Sequence, residues 1–465
     1  MENKKSISTF SMTLMCIGSI IGGGIFGSLT SATAYVGPLI CIAFIIASLT
    51  VFSYTIPSVV PSSTIPSAAG YYTALNRLVS PYLGVLEFAN LITLCVLDVA
   101  LASTFTSYFV QLVPANEVLV NCIVLIVFTV IAYCGIQFGS MVQNVMTIIL
   151  VITMTVFIAL GMKHIDPNNF TIAKAFDFNT EGGSRTAFFA AVALLTNCLG
   201  GGNAGVHMAN SMKDPRRGVM VSFIASTAIV CVIYMFLGAV VAGIDPNASD
   251  LGAIAKTFMG NGLFTWFIIG GALMAVVTTI NCVTLAGGFR FEALTRDKVL
   301  PEVFGKKNRF GQNGLGLIIL CICGLGIILL NLPLGTLFAV VSFISVVMNV
   351  VNIIPVLLVE KRYPHAYKHS PLKLKKVWLY IFIAFATVFC LYEAYATVVE
   401  TSGPVWIALL VTLGIFYGYF FIRKAYLKKQ GIDLIATMKA PIPEWEENEA
   451  KWAAVDAEEA ESTKA

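Results

Sequence analysis

Charged residues are scarce in this chain, and their scarcity excludes most soluble folds. Asp, Glu, Lys and Arg make up 12% of the 465 residues, whereas a typical soluble domain has roughly 25%. Hydrophobic residues account for 57%, and the mean hydropathy is +0.85. The formal net charge of +4 is small, so nothing points to a nucleic-acid partner. The composition indicates an integral membrane protein surrounded by lipid.

The sequence patterns of common enzymes and metal proteins are also missing. There is no Gly-x-x-x-x-Gly-Lys-Ser/Thr loop for ATP and no Gly-x-Ser-x-Gly elbow. The four histidines lack metal-ligand spacing, and the eleven cysteines fall within apolar stretches, so we expect neither a metal nor disulfides. We predict no enzymatic activity and no cofactor. Any driving force must come from an H⁺ or Na⁺ gradient or from substrate exchange.

Apolar stretches of about 20 residues, long enough to cross a hydrocarbon core of roughly 30 Å, recur from end to end. They predict an all-α integral membrane protein with twelve transmembrane helices, at approximately 9–34, 37–61, 82–112, 117–136, 143–162, 186–210, 218–243, 262–289, 314–332, 335–359, 377–398 and 403–422. The transporter domain then occupies 1–430. Residues 431–465 form a polar, acidic tail, for which a solvated segment is favoured over a regulatory one.

The distribution of Lys and Arg predicts the orientation, because short cytoplasmic loops retain these residues. With the N-terminus inside, all of them except Lys163, Lys174, Arg185 and Lys256 fall on the same side. Both termini are therefore predicted to be cytoplasmic, in a multi-pass protein of the cell membrane.

Two runs of three glycines, Gly22–Gly24 and Gly200–Gly202, interrupt the first and sixth predicted spans. Each glycine in a helix interior costs about 1 kcal/mol relative to alanine. Unwound backbone at bilayer depth persists only where protein buries it or where it lines a cavity. Interrupted helices at matching positions are typical of transporters that bind substrate at the breaks. The alternative interpretation is close helix packing alone.

The two breaks also predict an inverted repeat. Span one starts inside and span six starts outside, so each opens a five-helix unit, and the two units have opposite orientation. Helices 1–5 then cover about 9–162, helices 6–10 about 186–359, and helices 11–12 about 377–422. The symmetry rests on this topology and on the glycine runs.

Each break favours a different charge. Backbone N–H groups freed around Gly22–Gly24, together with the positive end of the following half-helix, suit a carboxylate. The half-helix that ends near Cys198–Gly200 offers carbonyl groups and a negative dipole end, which suit an ammonium. An α-amino acid carries both groups on one carbon, so it matches the pair of breaks.

Four stretches carry a resemblance to a known family. They are Gly18–Phe26, which resembles the G-x-x-I-G-[SG]-G-I-F motif; Pro66–Tyr72 with Arg77 and Pro81–Gly84; Lys213–Arg217; and Arg290 with Thr295–Pro301. In this order, they resemble the amino acid–polyamine–organocation (APC) superfamily of permeases. The resemblance implies the five-plus-five inverted-repeat fold, with broken helices 1 and 6, and transport by alternating access.

The resemblance also implies roles for individual residues. The carbonyls near Asn197 and Gly200 would hold the substrate's amino group, and the amides of Gly23 and Gly24 its carboxylate. The full set of expected substrate-binding residues is Ile20, Ile21, Gly22, Gly23, Gly24, Asn197, Gly200, Gly201, Gly202 and Asn203.

The chain departs from the family pattern at two positions. Asn203 stands where many members have an acid, which argues against coupling through that acid. Many sodium-independent members carry a lysine in helix 5, but alignment on Asn144 places Leu150 there. The absence of that lysine leaves room for Na⁺ near the first helix and the hydroxyl groups of Thr278, Thr279 and Thr284, although threonines also bond to helix carbonyls.

Three further polar residues at bilayer depth are candidates for coupling. Asp98 lies near the middle of span three, where a carboxylate costs at least about 2.5–3.5 kcal/mol; a proton relay, contact with a cationic side chain and a structural hydrogen bond are the alternatives. Histidine side chains ordinarily titrate near neutral pH, so His207 is a candidate for proton coupling. The alternative is a buried histidine whose hydrogen bonds are satisfied in the core. Asn281 fits the cavity or helix–helix hydrogen bonding equally well.

The sequence therefore predicts a secondary active transporter of amino acids. A polyamine or organocation antiporter of the same superfamily is the alternative within the family, and an ion channel is the alternative from another class. The expected partners are a small-molecule substrate and membrane lipids.

Overall fold

The computed structural model describes residues 7–170, 185–400 and 403–462. Helices dominate these ranges, in which strand pairing is limited to two isolated bridges, Ile7 with Met212 and Ala68 with Met208. The all-helical class expected from the sequence is confirmed.

The helices follow one another with short connections. In chain order, the first are α1 (Thr9–Ile20), α2 (Gly24–Val36), α3 (Ile40–Thr64), α4 (Gly70–Ala74), α5 (Pro81–Ala89), α6 (Leu91–Phe109), α7 (Glu117–Tyr133) and α8 (Ile136–Gly161). The middle of the chain forms α9 (Arg185–Cys198), α10 (Ala204–His207), α11 (Pro215–Ile244), α12 (Leu251–Phe258), α13 (Asn261–Phe267) and α14 (Met274–Arg296). The last are α15 (Gly314–Leu329), α16 (Leu334–Val351), α17 (Val356–Arg362), α18 (Pro364–Lys368), α19 (Lys376–Glu400), α20 (Gly403–Lys429), α21 (Leu434–Lys439) and α22 (Pro443–Ser462).

Several helical runs are suited to a bilayer. Within the described ranges, six are long and apolar enough to span it: Gly24–Thr64, Pro81–Phe109, Ile136–His164, Pro215–Ile244, Asn261–Arg296 and Leu334–Arg362. Shorter apolar helices accompany them at Thr9–Ile20, Glu117–Tyr133, Phe188–Cys198, Gly314–Leu329 and Lys376–Tyr392. The chain is a multi-pass membrane protein.

The interruptions expected in the first and sixth spans are present. α1 ends at Ile20 and α2 begins at Gly24, while α9 ends at Cys198 and α10 begins at Ala204. The structure also has a third interruption, which the sequence did not predict. It is a π-helical turn at Ile268–Leu273 that separates α13 from α14. A Cβ on Gly270 would lie 2.5 Å from Thr153 Oγ1, so glycine lets this turn approach α8 closely.

The breaks lie inside the packed centre of the molecule. α1 packs against α8, α11 and α14, whereas α2 packs against α9. One large apolar cluster includes Ile20 and Ile21 beside the first break and Leu195 and Leu199 beside the second. The fold therefore surrounds both interruptions with apolar side chains and holds them at the same depth of the bundle.

A buried ion pair ties two connecting segments together. Arg77 Nη1 and Nη2 donate to Asp297 Oδ2 and Oδ1 at 3.0 and 2.7 Å, and both side chains are buried. Arg296 Nε also donates to Asp297, at 3.2 Å. The two-pronged geometry, which matches a planar guanidinium to a carboxylate, fixes the π-helical turn after α4, Leu75–Val79, against the end of α14.

The C-terminal segment differs from the solvated tail that its composition suggested. α22 is docked on the rest of the chain, and the Trp445 side chain is only 1% exposed. Trp445 Nε1 donates to the Pro66 carbonyl at 3.2 Å. α22 is therefore anchored to the rest of the chain at Trp445, while its other side chains are exposed or half-buried.

We predict that the Arg77–Asp297 pair stabilises the fold far more than an exposed pair does. Asp297→Ala should lower the free energy of unfolding by about 3–5 kcal/mol, because a buried guanidinium would lose its charge partner. Thermal unfolding in detergent, followed by the reaction of newly exposed cysteines with a fluorescent maleimide, measures this. Glu292→Ala is the control: its pair with Lys307 is partly exposed, so a loss of about 0–1 kcal/mol is expected. Equal losses would contradict the prediction.

Candidate functional site

The first break exposes the start of a helix. Gly23 caps α2 and Gly24 begins it, so their amides lie at a helix N-terminus, where no preceding carbonyl of the same helix is available. The Gly22 amide is satisfied differently, because it donates to the Ile20 carbonyl at 2.8 Å. Tyr234 Oη also donates to Ile20 O, at 3.2 Å. The break thus presents two adjacent amides beside a backbone that is otherwise hydrogen-bonded.

The three glycines of this break have different reasons to be glycine. A Cβ on Gly22 would lie 2.9 Å from Thr279 Oγ1, and one on Gly23 would lie 2.9 Å from Thr104 Cγ2. Close packing therefore accounts for these two. A Cβ on Gly24 would meet nothing within 4 Å, and this residue is exposed. Packing does not explain Gly24, which has open space beside it.

The second break is a tight turn that presses on the first. The Gly200 amide donates to the Asn197 carbonyl at 3.2 Å, so that carbonyl keeps one free lone pair. Gly201 has φ +98°, a conformation that favours glycine. A Cβ at Gly201 would lie 2.8 Å from Ser19 O, and one at Gly202 would lie 3.2 Å from Ile20 Cδ1. The structure therefore brings the two glycine runs together.

In the described part of the chain, the side chains nearest the glycines are uncharged, and parts of both breaks are exposed. The side chains closest to the glycines are those of Thr104, Thr227, Val276 and Thr279. Asn197, like Gly24 and Gly201, is exposed. The N-terminus of α2 is electropositive and the C-terminus of α9 electronegative, each equivalent to roughly half an elementary charge. This arrangement can bind a molecule that carries one negative and one positive group close together.

Thr278 and Thr279, which were expected beside the first helix, do lie there. Thr278 Oγ1 donates to the Gly18 carbonyl at 2.8 Å, and Thr279 Oγ1 approaches the same oxygen at 3.3 Å. Thr278 is also within hydrogen-bond distance of carbonyls of its own helix. Their hydroxyl groups thus join α14 to the end of α1, one turn before the break.

Gln143 and Thr147 were missed at the sequence level. A Cβ on Gly18 would lie 2.6 Å from Gln143 Nε2 and 2.5 Å from Thr147 Oγ1. These two atoms are buried and have no hydrogen-bond partner in the described part of the chain. Leu150, the position inferred by alignment, instead packs in the apolar core. The available signal was two polar residues four apart on an apolar helix, which places them on one face.

Asn281 belongs to the same polar cluster. Its Nδ2 donates to the Gly139 carbonyl at 3.1 Å and to Gln143 Oε1 at 2.8 Å. It therefore connects α14 with α8. Of the two roles left open for this residue, helix–helix hydrogen bonding is the one that the observed contacts describe.

Asp98 lies away from the glycine runs. Thr284 Oγ1 donates to its Oδ2 at 3.2 Å, and its side chain is 5% exposed. Thr104, six residues further along α6, contacts the first break, and six residues correspond to about 9 Å of helix axis. The structure therefore places the Asp98 carboxyl between α6 and α14, about 9 Å along the α6 axis from the level of the first break.

His207 is part of a buried polar network that reaches the second break. Its ring meets that of Tyr71 edge-on, with centroids 5.2 Å apart, and its Nε2 lies 3.4 Å from Arg290 Nη2. Arg290 in turn lies 3.8 Å from Glu87. Asn203 Nδ2 donates to Tyr71 Oη at 3.2 Å. Asn203 is thereby held by a tyrosine rather than being free to contact a ligand on every side.

Comparison with known proteins identifies the family. The profile of the family described as amino acid permease matches residues 7–420. This chain belongs to that family. It is an amino acid transporter and not an enzyme.

Individual relatives are distant. The permease is 25% identical to the methylthioribose transporter of Bacillus subtilis over 400 residues, which cover 77% of this chain and 82% of that protein. It is also 25% identical to the branched-chain amino acid permease BcaP of the same bacterium, over 65% of this chain and 70% of that protein. Cationic amino acid transporter 1 of Arabidopsis thaliana is 25% identical over 66% of this chain and 54% of its own length.

We predict that Gly24→Val abolishes transport without unfolding the permease. The new side chain meets no neighbour, so it costs little packing, but it fills the space in front of the α2 amides. Uptake into proteoliposomes should fall at least roughly tenfold, the effect of losing about 1.4 kcal/mol of binding. Gly326→Val in α15 is the control, because Gly326 is also exposed and unobstructed. Near-normal uptake by the Gly24 variant would show that substrate binds elsewhere.

Proposed function

We propose that this permease carries neutral α-amino acids across the cell membrane by alternating access. The observation that supports the proposal is the contact between two exposed helix breaks whose dipoles have opposite sign. The α2 amides at Gly23 and Gly24 would bind the carboxylate, and the carbonyls at Asn197 and Gly200 the ammonium. Together the breaks recognise the part that all amino acids share, whereas the uncharged surroundings select the side chain.

Among the described residues, the side chains nearest the glycines carry no charge, and this favours neutral substrates over cationic ones. A lysine or arginine side chain, or a polyamine, needs an acid as its partner, because a desolvated ammonium is expensive to leave unpaired. Asp98 is the acid expected at this depth, and it bonds Thr284 instead of facing the breaks. The relatives are named for methylthioribose, for branched-chain amino acids and for cationic amino acids, so similarity alone does not choose among these substrates.

The same proposal includes the full topology. Twelve transmembrane helices, with a five-plus-five inverted repeat and both termini in the cytoplasm, would place the breaks in spans one and six. The equivalent positions of α1–α2 and α9–α10 support the repeat. The distribution of Lys and Arg supports the orientation. A carrier is favoured over a channel because the segments around the breaks are packed, which suits binding and release better than an open pore.

Sodium is a poor fit to the polar cluster beside Gly18. A carbonyl can only accept, so the bond from Asn281 Nδ2 to Gly139 O fixes the orientation of the Asn281 amide. The same Nδ2 donates to Gln143 Oε1, which turns Gln143 Nε2 toward Gly18. An N–H donor there repels a cation. We therefore infer that transport does not require Na⁺ at this position.

A proton is the alternative coupling ion, and Asp98 and His207 are the residues that would carry it. Both are buried. Neither is among the side chains nearest the glycines, so protonation would have to act on the site through α6 or through Tyr71. Substrate exchange and facilitated transport need no such relay. We infer that one of these two modes describes the permease.

We predict that binding requires both the carboxylate and the ammonium of a neutral amino acid. At 100 times its Kd, leucine or another accepted amino acid should stabilise the purified permease by about 2.7 kcal/mol, and labelled substrate should be taken up. The methyl ester and the decarboxylated amine of that amino acid should do neither, since each lacks one charged group. Arginine, putrescine and methylthioribose are compared in parallel. Stabilisation by putrescine without any by amino acids would favour the polyamine alternative.

We predict that uptake is the same in sodium and in choline buffers. Gln143→Glu should create a sodium or proton requirement, because it places an acceptor and a negative charge beside Gly18. Gln137→Glu is the matched control, as Gln137 is exposed at the start of α8. Uptake and thermal stability are measured for all three proteins in both salts. Wild-type uptake that collapses without sodium would contradict the proposal.

A further inference from the structure

The C-terminal helix α22 touches separate parts of the chain on one face. Trp445 Nε1 donates to Pro66 O at 3.2 Å, and Asn448 Nδ2 donates to Thr64 O at 3.1 Å. Both acceptors lie where α3 ends and the connection to α4 begins. The ring of Trp445 also meets that of Tyr363 edge-on, with centroids 5.8 Å apart. The start of α22 is therefore wedged between the end of α3 and the end of α17.

The next turns of α22 hold the short helix α18. The amides of His365 and Ala366 donate to the two carboxylate oxygens of Glu449, at 2.9 and 2.8 Å. Two turns later, Asp456 accepts from His365 Nδ1 and His369 Nε2 at 2.6 and 2.8 Å. Lys368 Nζ is a third donor to the same carboxylate. Glu449 thus accepts from the amides of the first turn of α18. Asp456 accepts from three side chains, those of His365, Lys368 and His369.

These donors keep Asp456 charged. Hydrogen bonds from His365, and then from Lys368 and His369, hold the pKa of its carboxyl well below the usual range. A carboxyl with a lowered pKa stabilises the docked state above its unfolded pKa, near about 3.9, and loses that contribution as pH falls through the lowered value. The Asp456 carboxyl therefore stays ionised throughout the neutral range.

A third connection reaches the start of α11. The Trp452 ring is stacked on His369, with centroids 4.4 Å apart and planes 14° apart, and the Arg216 guanidinium carbon lies 5.0 Å from the Trp452 ring. Arg216 Nη2 donates to the carbonyls of Ala366 and His369, both at 2.9 Å. α22 therefore links α18 to the residue that follows Pro215 at the head of α11.

The two outer anchors of α22 flank the segment that follows the second break, residues 204–213. On the side of Pro66, the Ala69 amide donates to His207 O at 3.0 Å. On the other side, Arg216 begins the helix that this segment enters. Ile7 also pairs with the segment 204–213, since Ile7 N donates to Ser211 O and Lys213 N donates to Ile7 O, both at 3.0 Å. The segment is thus held in place from both of its ends.

We propose that α22 is a latch that keeps the permease closed on the face formed by the end of α3, the α17–α18 corner and the start of α11. The inference rests on the proposed alternating access. A path from the breaks to this face opens only if residues 204–213 separate from their neighbours, and such transitions move packed elements as units. α22 joins the end of α3, the α17–α18 corner and the start of α11, so it resists their separation. Release of α22 lowers the barrier to opening and speeds the transport cycle.

The test compares full-length wild type with Trp445→Ala and Asp456→Asn in lipid nanodiscs and proteoliposomes. Hydrogen–deuterium exchange reports on the amides of 443–462, for docking, and of 204–213, for opening. We expect roughly tenfold faster exchange in both regions for the variants, and faster counterflow of a neutral amino acid. Glu447→Gln is the control, because Glu447 is exposed on the same helix and has no ion pair in the described part of the chain.

Two results would overturn the latch. One is faster exchange of 443–462 in the variants with unchanged exchange of 204–213, which would make α22 a docked but passive helix. The other is unchanged exchange of 443–462 in both variants, which would mean that these contacts do not hold it. The exchange experiment needs no substrate. A permease that transports no amino acid would therefore refute the proposed function while leaving the latch to be judged from exchange alone.

Discussion

Every peptide group at bilayer depth needs a hydrogen-bond partner, and this requirement organises the centre of the permease. Where α1 stops, the carbonyls of Gly18 and Ile20 accept hydrogen bonds from the hydroxyl groups of Thr278 and Tyr234. Side chains of neighbouring helices thus replace the missing helical bonds. At the start of α2, Gly24 is exposed, with open space beside it. The fold tolerates the break after α1 because α11 and α14 supply hydrogen-bond donors to its carbonyls.

The distribution of charge follows from the same constraint. Around the glycines, orientation of backbone dipoles replaces charged side chains, so the site can attract a zwitterion without carrying an unpaired ion itself. Full charges are instead paired near the connecting segments, as in Arg77 with Asp297 and Arg290 with Glu87. Recognition and mechanical connection are therefore assigned to different groups.

The sequence predicted the features that depend on local composition. Glycine runs in apolar segments lower helix propensity wherever they occur, so the breaks at Gly22–Gly24 and Gly200–Gly202 were foreseeable, as was the membrane class. Features that depend on which helices meet were not. Gln143 faces Gly18 only because α8 packs on α1, and Asp98 misses the breaks because of its height on α6. Acidic α22 looked solvated, since nothing local shows that Pro66 offers Trp445 a carbonyl.

The pairing of Arg77 with Asp297 has a consequence for biosynthesis. The two residues are 220 positions apart, and ribosomes add about 5–20 residues per second, so the arginine emerges roughly 10–45 s before its partner exists. During that interval, the first helices wait in the membrane with an uncompensated cation at their loop. Water, lipid phosphate or the insertion machinery must accommodate it. Until synthesis reaches residue 297 of 465, the inserted part of the chain lacks this ion pair, and the speed of translation rather than of folding sets how long it does.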